Sequence, residues 1–139
     1  MKKITLKRPT EGFNTYCSYD ILIGGKKITD LSNGEEKTIE LQPHQESEIL
    51  EAKIQWCGSQ SYAISDASET GTLLVSGNEL LNRKIPLIGA LFPLSGILLF
   101  TGDSMLAKTI VTSVLMLVLL GIIGTLTIWK NNWLTIDAD

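Results

Sequence analysis

The strongest constraint on this chain is a run of 21 residues without a charge, residues 109–129 (TIVTSVLMLVLLGIIGTLTIW). A helix of this length reaches about 32 Å, which matches a hydrocarbon core of about 30 Å. A second uncharged run, residues 85–102, would reach about 27 Å as a helix. Between the two runs only Asp103 and Lys108 are charged. We therefore predict a transmembrane hairpin with helix 1 at 85–102, a connecting turn at 103–108 and helix 2 at 109–130.

The turn and the first helix carry two local signals. Asp103 or Ser104 can accept hydrogen bonds from the free N–H groups at the start of the second helix, so we expect that helix to begin near Met105. Pro93 lacks an N–H and crowds the preceding turn, which predicts a bend in the first helix.

The charges flanking the hairpin indicate its orientation, because cytoplasmic loops carry an excess of Lys and Arg. Three basic residues lie on the terminal side of the two helices and one lies in the connecting turn. Both termini are therefore predicted to be cytoplasmic, with an N-outside orientation as the alternative. The predicted membrane-interface residues are Arg83, Lys84, Lys108, Trp129, Lys130 and Trp133.

Residues 1–84 have a different pattern, in which apolar and polar side chains alternate in short segments. The clearest alternation is LEAKIQW at 50–56, and GG at 24–25 and NG at 33–34 are hairpin-turn signals. This pattern predicts a soluble all-β N-terminal sandwich of about seven short antiparallel strands, with residues 131–139 as a polar C-terminal tail. The other predicted strands lie near 4–6, 19–23, 28, 38–41, 62–64 and 73–75.

Three turn motifs give residues 18–60 a family resemblance. The segments ILIGGK at 21–26, LSNGE at 31–35 and IQWCGS at 54–59 resemble small bacterial β-sandwich modules of PEGA-like type, although PHQE at 43–46 lacks the glycine of their third turn. The resemblance implies a β-sandwich with a binding or scaffolding role. Together with the flanking charges it leads us to expect a multi-pass protein of the bacterial inner (cytoplasmic) membrane with cytoplasmic N- and C-termini.

The residues that could carry chemistry do not form a recognised motif. His44 is the sole histidine and lies in a proline turn, and Cys17 and Cys57 are 39 residues apart, which excludes a C-x-x-C motif. We expect free thiols in a cytoplasmic domain and a disulfide in an oxidising compartment. No catalytic, cofactor-binding or metal-binding residue is predicted, and the chain is not expected to be an enzyme. The net charge of −3 argues against a nucleic-acid partner.

Small residues in the two apolar runs predict where helices approach closely. In the second run four of them lie on one i+4 row, which Leu117 completes, and the first run offers further glycines. We expect these faces to pack within the hairpin and, beyond it, against a membrane-protein partner or a second copy. The predicted helix-packing residues are Gly89, Pro93, Gly96, Thr109, Ser113, Gly121, Gly124 and Thr125.

Two functions fit this organisation. The first is a non-catalytic accessory or scaffolding subunit of a bacterial inner-membrane complex, held in the lipid bilayer with its β-domain in the cytoplasm. The alternative is an autonomous membrane-anchored module whose β-domain binds a small molecule or a peptide.

Overall fold

A computed structural model describes residues 2–12, 14–67 and 71–139 of the chain. The chain divides into two compact units. The first, here called the β-domain, comprises Met1–Asn78 and Lys130–Asp139, and the second, the helical unit, comprises Glu79–Trp129. The helical unit is therefore an insertion between two parts of one β-domain.

The described part of the β-domain forms two sheets. Sheet A has the strand order β4-β1-β8-β9, and sheet B has the order β3-β2-β5-β6 with β7 also paired to β5. Every pairing is antiparallel except that of β1 with β8. The strands are β1 (Lys3–Lys7), β2 (Tyr19–Ile23), β3 (Lys26–Leu31), β4 (Glu36–Glu40), β5 (Ile49–Ile54), β6 (Cys57–Gly58), β7 (Tyr62–Ala63), β8 (Thr72–Gly77) and β9 (Leu134–Ala138), and short 3-10 helices lie at Pro43–Ser47, Ile64–Asp66 and Lys130–Asn132.

Alternation of apolar and polar residues explains which side chains form the core. Ile4 and Leu6 of β1 are fully buried, and so are Leu73 and Val75 of β8, whereas the residues between them are half-buried. The predicted turn at 24–25 joins β2 to β3, with both glycines at positive φ (57° and 78°), the left-handed region that glycine enters without steric cost.

The predicted antiparallel sandwich confined to residues 1–84 is wrong in three respects. β1 and β8 pair in parallel, β6 is an additional short strand, and β9 comes from the segment interpreted as a polar tail. The β-domain also gives way to the helical unit after Asn78, six residues before the predicted boundary at residue 84. Pairings between segments far apart in sequence leave no local pattern, which is why periodicity did not predict them.

The alternation at 50–56 also ends earlier than predicted. β5 stops at Ile54, Gln55 adopts a positive φ of 50°, and Trp56 lies in the following turn with 67% of its surface exposed. The apolar side chain of Trp56 therefore does not belong to the buried face of β5.

The helical unit contains α1 (Glu79–Thr101) and α2 (Met105–Thr127). Ser104 is the N-cap of α2, and its Oγ accepts a hydrogen bond from the Ala107 N–H at 3.4 Å, which confirms the predicted start at Met105. α1 continues as a helix through Pro93.

The predicted transmembrane hairpin is wrong. Among the described residues, only α2 is long and apolar enough to cross a membrane by length and composition. Within the residues described for α1, the apolar segment is Leu87–Thr101, which reaches about 22 Å. A segment of this length falls short of a hydrocarbon core of about 30 Å. The predicted multi-pass topology depended on this hairpin and is therefore unsupported.

A buried guanidinium joins the two sheets. Arg8, directly after β1, has a fully buried side chain whose Nη1 donates to the carbonyls of Cys17 (2.6 Å) and Leu31 (3.1 Å). Its Nη2 donates to the carbonyl of Asn14 (2.7 Å), and its carbon Cζ lies 3.6 Å from the ring centroid of Tyr19 in β2. The guanidinium therefore fixes residues 14–17 and the end of β3 against the end of β1.

The carboxylate of Glu11 completes this arrangement. Arg8 Nε donates to its Oε2 (3.3 Å), to which the Tyr19 hydroxyl also donates, and the Gly77 N–H at the end of β8 donates to its Oε1. Burial, and then the hydrogen bond to Glu11, raise the pKa of Tyr19 above its ordinary value, so the phenol keeps its proton. We call Arg8, Glu11, Asn14 and Tyr19 the Arg8 cluster.

Removing the guanidinium should unfold the β-domain at lower denaturant. Arg8→Met removes the cation that donates to the Glu11 carboxylate and to three carbonyls, and we expect a loss of about 3–5 kcal/mol, with Arg8→Lys intermediate. Unfolding can be followed in detergent, in a Cys17→Ser background, by measuring how fast the buried Cys57 thiol is modified at increasing urea concentrations. Lys3→Met, which removes only the exposed ion pair with Glu40, is the control. Equal urea midpoints for Arg8→Met and Lys3→Met would contradict a stabilising role of the buried guanidinium.

Candidate functional site

The β-domain has an open groove of about 350 Å³ along β9. One wall is β9 and the opposite wall is the segment from Gln60 to Tyr62, which leads from β6 into β7. The residues that line the groove include Gln60, Ser61, Tyr62, Asn78, Asn132, Ile136 and Asp137.

The two walls meet at one end of the groove. The Trp133 N–H donates to the Gly58 carbonyl at 3.1 Å, and Ser59 forms an isolated parallel bridge with Leu134. Gly58 is required at this point because a Cβ there would lie 2.8 Å from the Ala52 carbonyl oxygen. Beyond Ser59 the chain turns to pair with β5 through β7, and the groove opens between β7 and β9.

Amide side chains hold this end of the groove together. The Asn78 N–H donates to the Trp133 carbonyl (2.9 Å) and Asn78 Nδ2 donates to the Asn132 carbonyl (2.9 Å), while Gln60 Nε2 donates to Asn132 Oδ1 (3.1 Å). The end of β8, the start of β9 and the opposite wall are thus tied by uncharged groups. Asp137 adds a carboxylate toward the end of β9.

The groove offers polar side chains that can form hydrogen bonds. Ser61 Oγ donates to Glu51 Oε1 (3.2 Å), and His44 lies exposed in the 3-10 helix Pro43–Ser47. In the described parts of the chain no group of three or more His, Cys, Asp or Glu residues is arranged to hold a metal ion.

Both cysteines are free thiols. Cys17 is half-buried and Cys57 is buried in β6. Burial raises the pKa of the Cys57 thiol, with nearby Lys130 opposing the shift, so less of the reactive thiolate forms near neutral pH.

The helices α1 and α2 contact each other beside a cleft lined by larger apolar side chains, among them Leu91, Leu98, Val111 and Leu115, with Ser95 beside them. Pro93 is exposed on α1. The hydroxyls of Thr109, Ser113 and Thr125 donate to carbonyls within α2, those of Met105, Thr109 and Ile122.

The predicted glycines differ in what surrounds them. A Cβ added at Gly89, Gly96 or Gly121 would meet nothing within 4 Å, so these three lie on open helix surface. At Gly124 a Cβ would lie 3.1 Å from the ring of Trp129, so that glycine accommodates an indole of the same unit.

The predicted membrane-interface residues lie near the ends of the apolar segments. Arg83 is exposed and pairs with Glu79 at 3.2 Å, and Trp129 is 53% exposed. Lys108 belongs to the first turn of α2 rather than to the connecting turn, because α2 begins at Met105. Lys84, Lys108 and Lys130 are exposed, and Trp133 is half-buried in the β-domain.

Comparison of the chain with protein-family models, with curated proteins and with solved structures finds no match. The resemblance of residues 18–60 to PEGA-like modules therefore stays a prediction. The groove itself was missed by sequence reasoning because β9 was interpreted as a tail. The signal that could have found it is the alternation Leu134, Ile136, Ala138 immediately after Trp133.

Proposed function

We propose that this protein is a non-catalytic, membrane-anchored accessory subunit, with the helical unit as its anchor. The observation that carries the proposal is the exposed apolar surface of α2. No residue of α2 is buried, and Met105, Leu106 and Leu117 are 85%, 73% and 69% exposed. Such a surface is larger than soluble monomers leave in water, so lipid or protein must cover it.

The insertion point limits how the anchor can enter a bilayer. α1 follows β8 and α2 leads into β9, and β8 and β9 are hydrogen-bonded neighbours. Hydrogen bonds between Asn78 and residues 132–133 hold the two connections side by side. Both ends of the helical unit therefore start from the same β-domain, and the whole β-domain lies on one side of the membrane.

We further propose that this face is the cytoplasmic side of a bacterial inner membrane. Arg83, Lys84 and Lys130 lie at the β-domain ends of the two helices, against Lys108 near the connecting turn. This excess of basic residues favours the cytoplasm for the β-domain and both termini.

A charged substitution in the middle of α2 tests whether this helix is surrounded by lipid or by water. Arg at the centre of a membrane helix costs about 3 kcal/mol, whereas Arg at an exposed position in water costs little. We expect Leu117→Arg to lower the fraction of chain that stays in the membrane pellet after a carbonate wash. Leu106→Arg, at the end of the same helix, should leave that fraction near the wild-type value. A wild-type chain released by carbonate would contradict the anchor.

Orientation can be measured with a single engineered thiol. Tyr16 is fully exposed, and Cys57 is too buried to give a large background, so Tyr16→Cys in a Cys17→Ser background supplies one reactive site. A membrane-impermeant maleimide should label it only after the cells are permeabilised. Asn131→Cys, exposed on the other side of the insertion, should behave identically. Ready labelling of either variant in intact cells would exclude a cytoplasmic β-domain.

The subunit proposal predicts a partner on the open glycine surface of α2. Gly121→Leu should remove the larger species seen by native size-exclusion chromatography after gentle detergent extraction, because leucine blocks close helix approach. Thr112 lies nine residues away, on the opposite side of the helix, and Thr112→Leu is the matched control. A wild-type monomer, or equal behaviour of the two variants, would contradict a partner at Gly121.

The second candidate function is a binding module anchored by the helical unit. The polar groove along β9 favours it, because its volume falls within the range of about 300–1,000 Å³ that is typical of ligand sites.

A further inference from the structure

We propose that the groove binds an extended peptide, which adds to sheet A as a strand beside β9. This inference rests on the second candidate function and names its ligand class. It needs three properties of β9: free backbone groups, room for a strand, and side chains that do not repel one.

The free groups follow from the register of β8 and β9. The Asp139 N–H donates to the Thr72 carbonyl (3.0 Å), and the Asn78 N–H donates to the Trp133 carbonyl (2.9 Å). In an antiparallel pair, hydrogen-bonded and non-hydrogen-bonded positions alternate. The N–H and C=O groups of Ile136 and Ala138 therefore point away from β8, and in the described part of the chain no backbone group meets them.

The groove provides the space beside these groups. β9 is the last strand of sheet A, and the neighbouring segment pairs with it only at the Ser59–Leu134 bridge. Past that bridge the opposite wall diverges from β9 to form β7 on sheet B. An added strand would lie about 4.8 Å from β9 and occupy the opening.

Of the other edge strands, β6 and β7 are only two residues long, and the longer β4 and β3 are protected by charge. β4 (EKTIE) has three charged residues of five, and β3 (KKITDL) has three of six. Charged side chains on an edge strand oppose the addition of another chain. β9 (LTIDA) has one, Asp137, so it is the edge most open to a strand.

The side chains of β9 define the peptide. Leu134 is buried and Ile136 half-buried on one face, and Thr135 and Asp137 lie on the other. Thr135 Oγ1 is hydrogen-bonded to Ser76 Oγ at 3.0 Å on that second face. The expected ligand alternates apolar side chains beside Ile136 with polar ones, and carries a Lys or Arg that can pair with Asp137.

The test uses a labelled probe peptide, acetyl-KVTVKT-amide, and the full chain in detergent. Fluorescence anisotropy gives the dissociation constant, and hydrogen exchange reports on residues 133–139. We expect protection of the Ile136 and Ala138 amides. Two forms of the peptide, N-methylated at odd or at even positions, should differ by about tenfold or more, because only one edge of the added strand faces β9.

Variants of β9 supply the matched controls. Ala138→Pro removes an outward N–H without touching the β8 ladder, and should weaken binding by about fivefold or more, whereas Ala138→Val should not. Asp137→Lys should weaken binding of the basic probe.

Three results would overturn the proposal: no protection at 136 and 138, equal binding of the two N-methylated peptides, or a chain dimer that Ala138→Pro dissociates, since the last would assign the edge to a second copy. Because the measurements are made in detergent, their failure leaves the carbonate-wash and chromatography results for the anchor intact.

Discussion

The β-domain depends on a positive charge enclosed in its interior. A buried guanidinium is stable only when its donors are satisfied, and Arg8 meets this condition with three backbone carbonyls and the Glu11 carboxylate. Those partners come from β3 of sheet B and from the segment between β1 and β2. Through the Gly77 N–H, Glu11 also fixes the end of β8, the point at which the chain leaves for the helices. The need to satisfy the Arg8 guanidinium thus determines how the two sheets meet and where the chain leaves β8 for the helices.

The insertion connects fold to function. Because β8 and β9 are neighbours, the helical unit cannot act as a tail that trails from the domain; it is a loop of the β-domain that happens to be helical and apolar. The proposed anchor and the proposed ligand site then adjoin the same two strands. β9 follows the anchor directly through the 3-10 helix Lys130–Asn132, and its free edge forms one wall of the groove.

Local patterns predicted what local forces determine. Alternation located seven strand segments, glycines located the turn at 24–25, and a hydroxyl before an apolar run located the start of α2 at Met105. The parallel pairing of β1 with β8, and that of β9 with β8 across the helices, arise from contacts between distant segments. The lysine- and arginine-rich start gave no sign that Arg8 would be buried. The prediction that α1 spans the bilayer failed because its described apolar segment, Leu87–Thr101, is shorter than a hydrocarbon core.

The position of β9 after α2 also sets an order of events during synthesis. Sheet A lacks β9 until the ribosome has made the helices, so the β8–β9 pairing cannot form before them. If the helices enter the bilayer as they emerge, only chains that have already reached the membrane acquire the second wall of the groove. The architecture would then couple assembly of the binding edge to delivery, and a chain stalled before insertion would have no strand edge at β9 to offer a peptide.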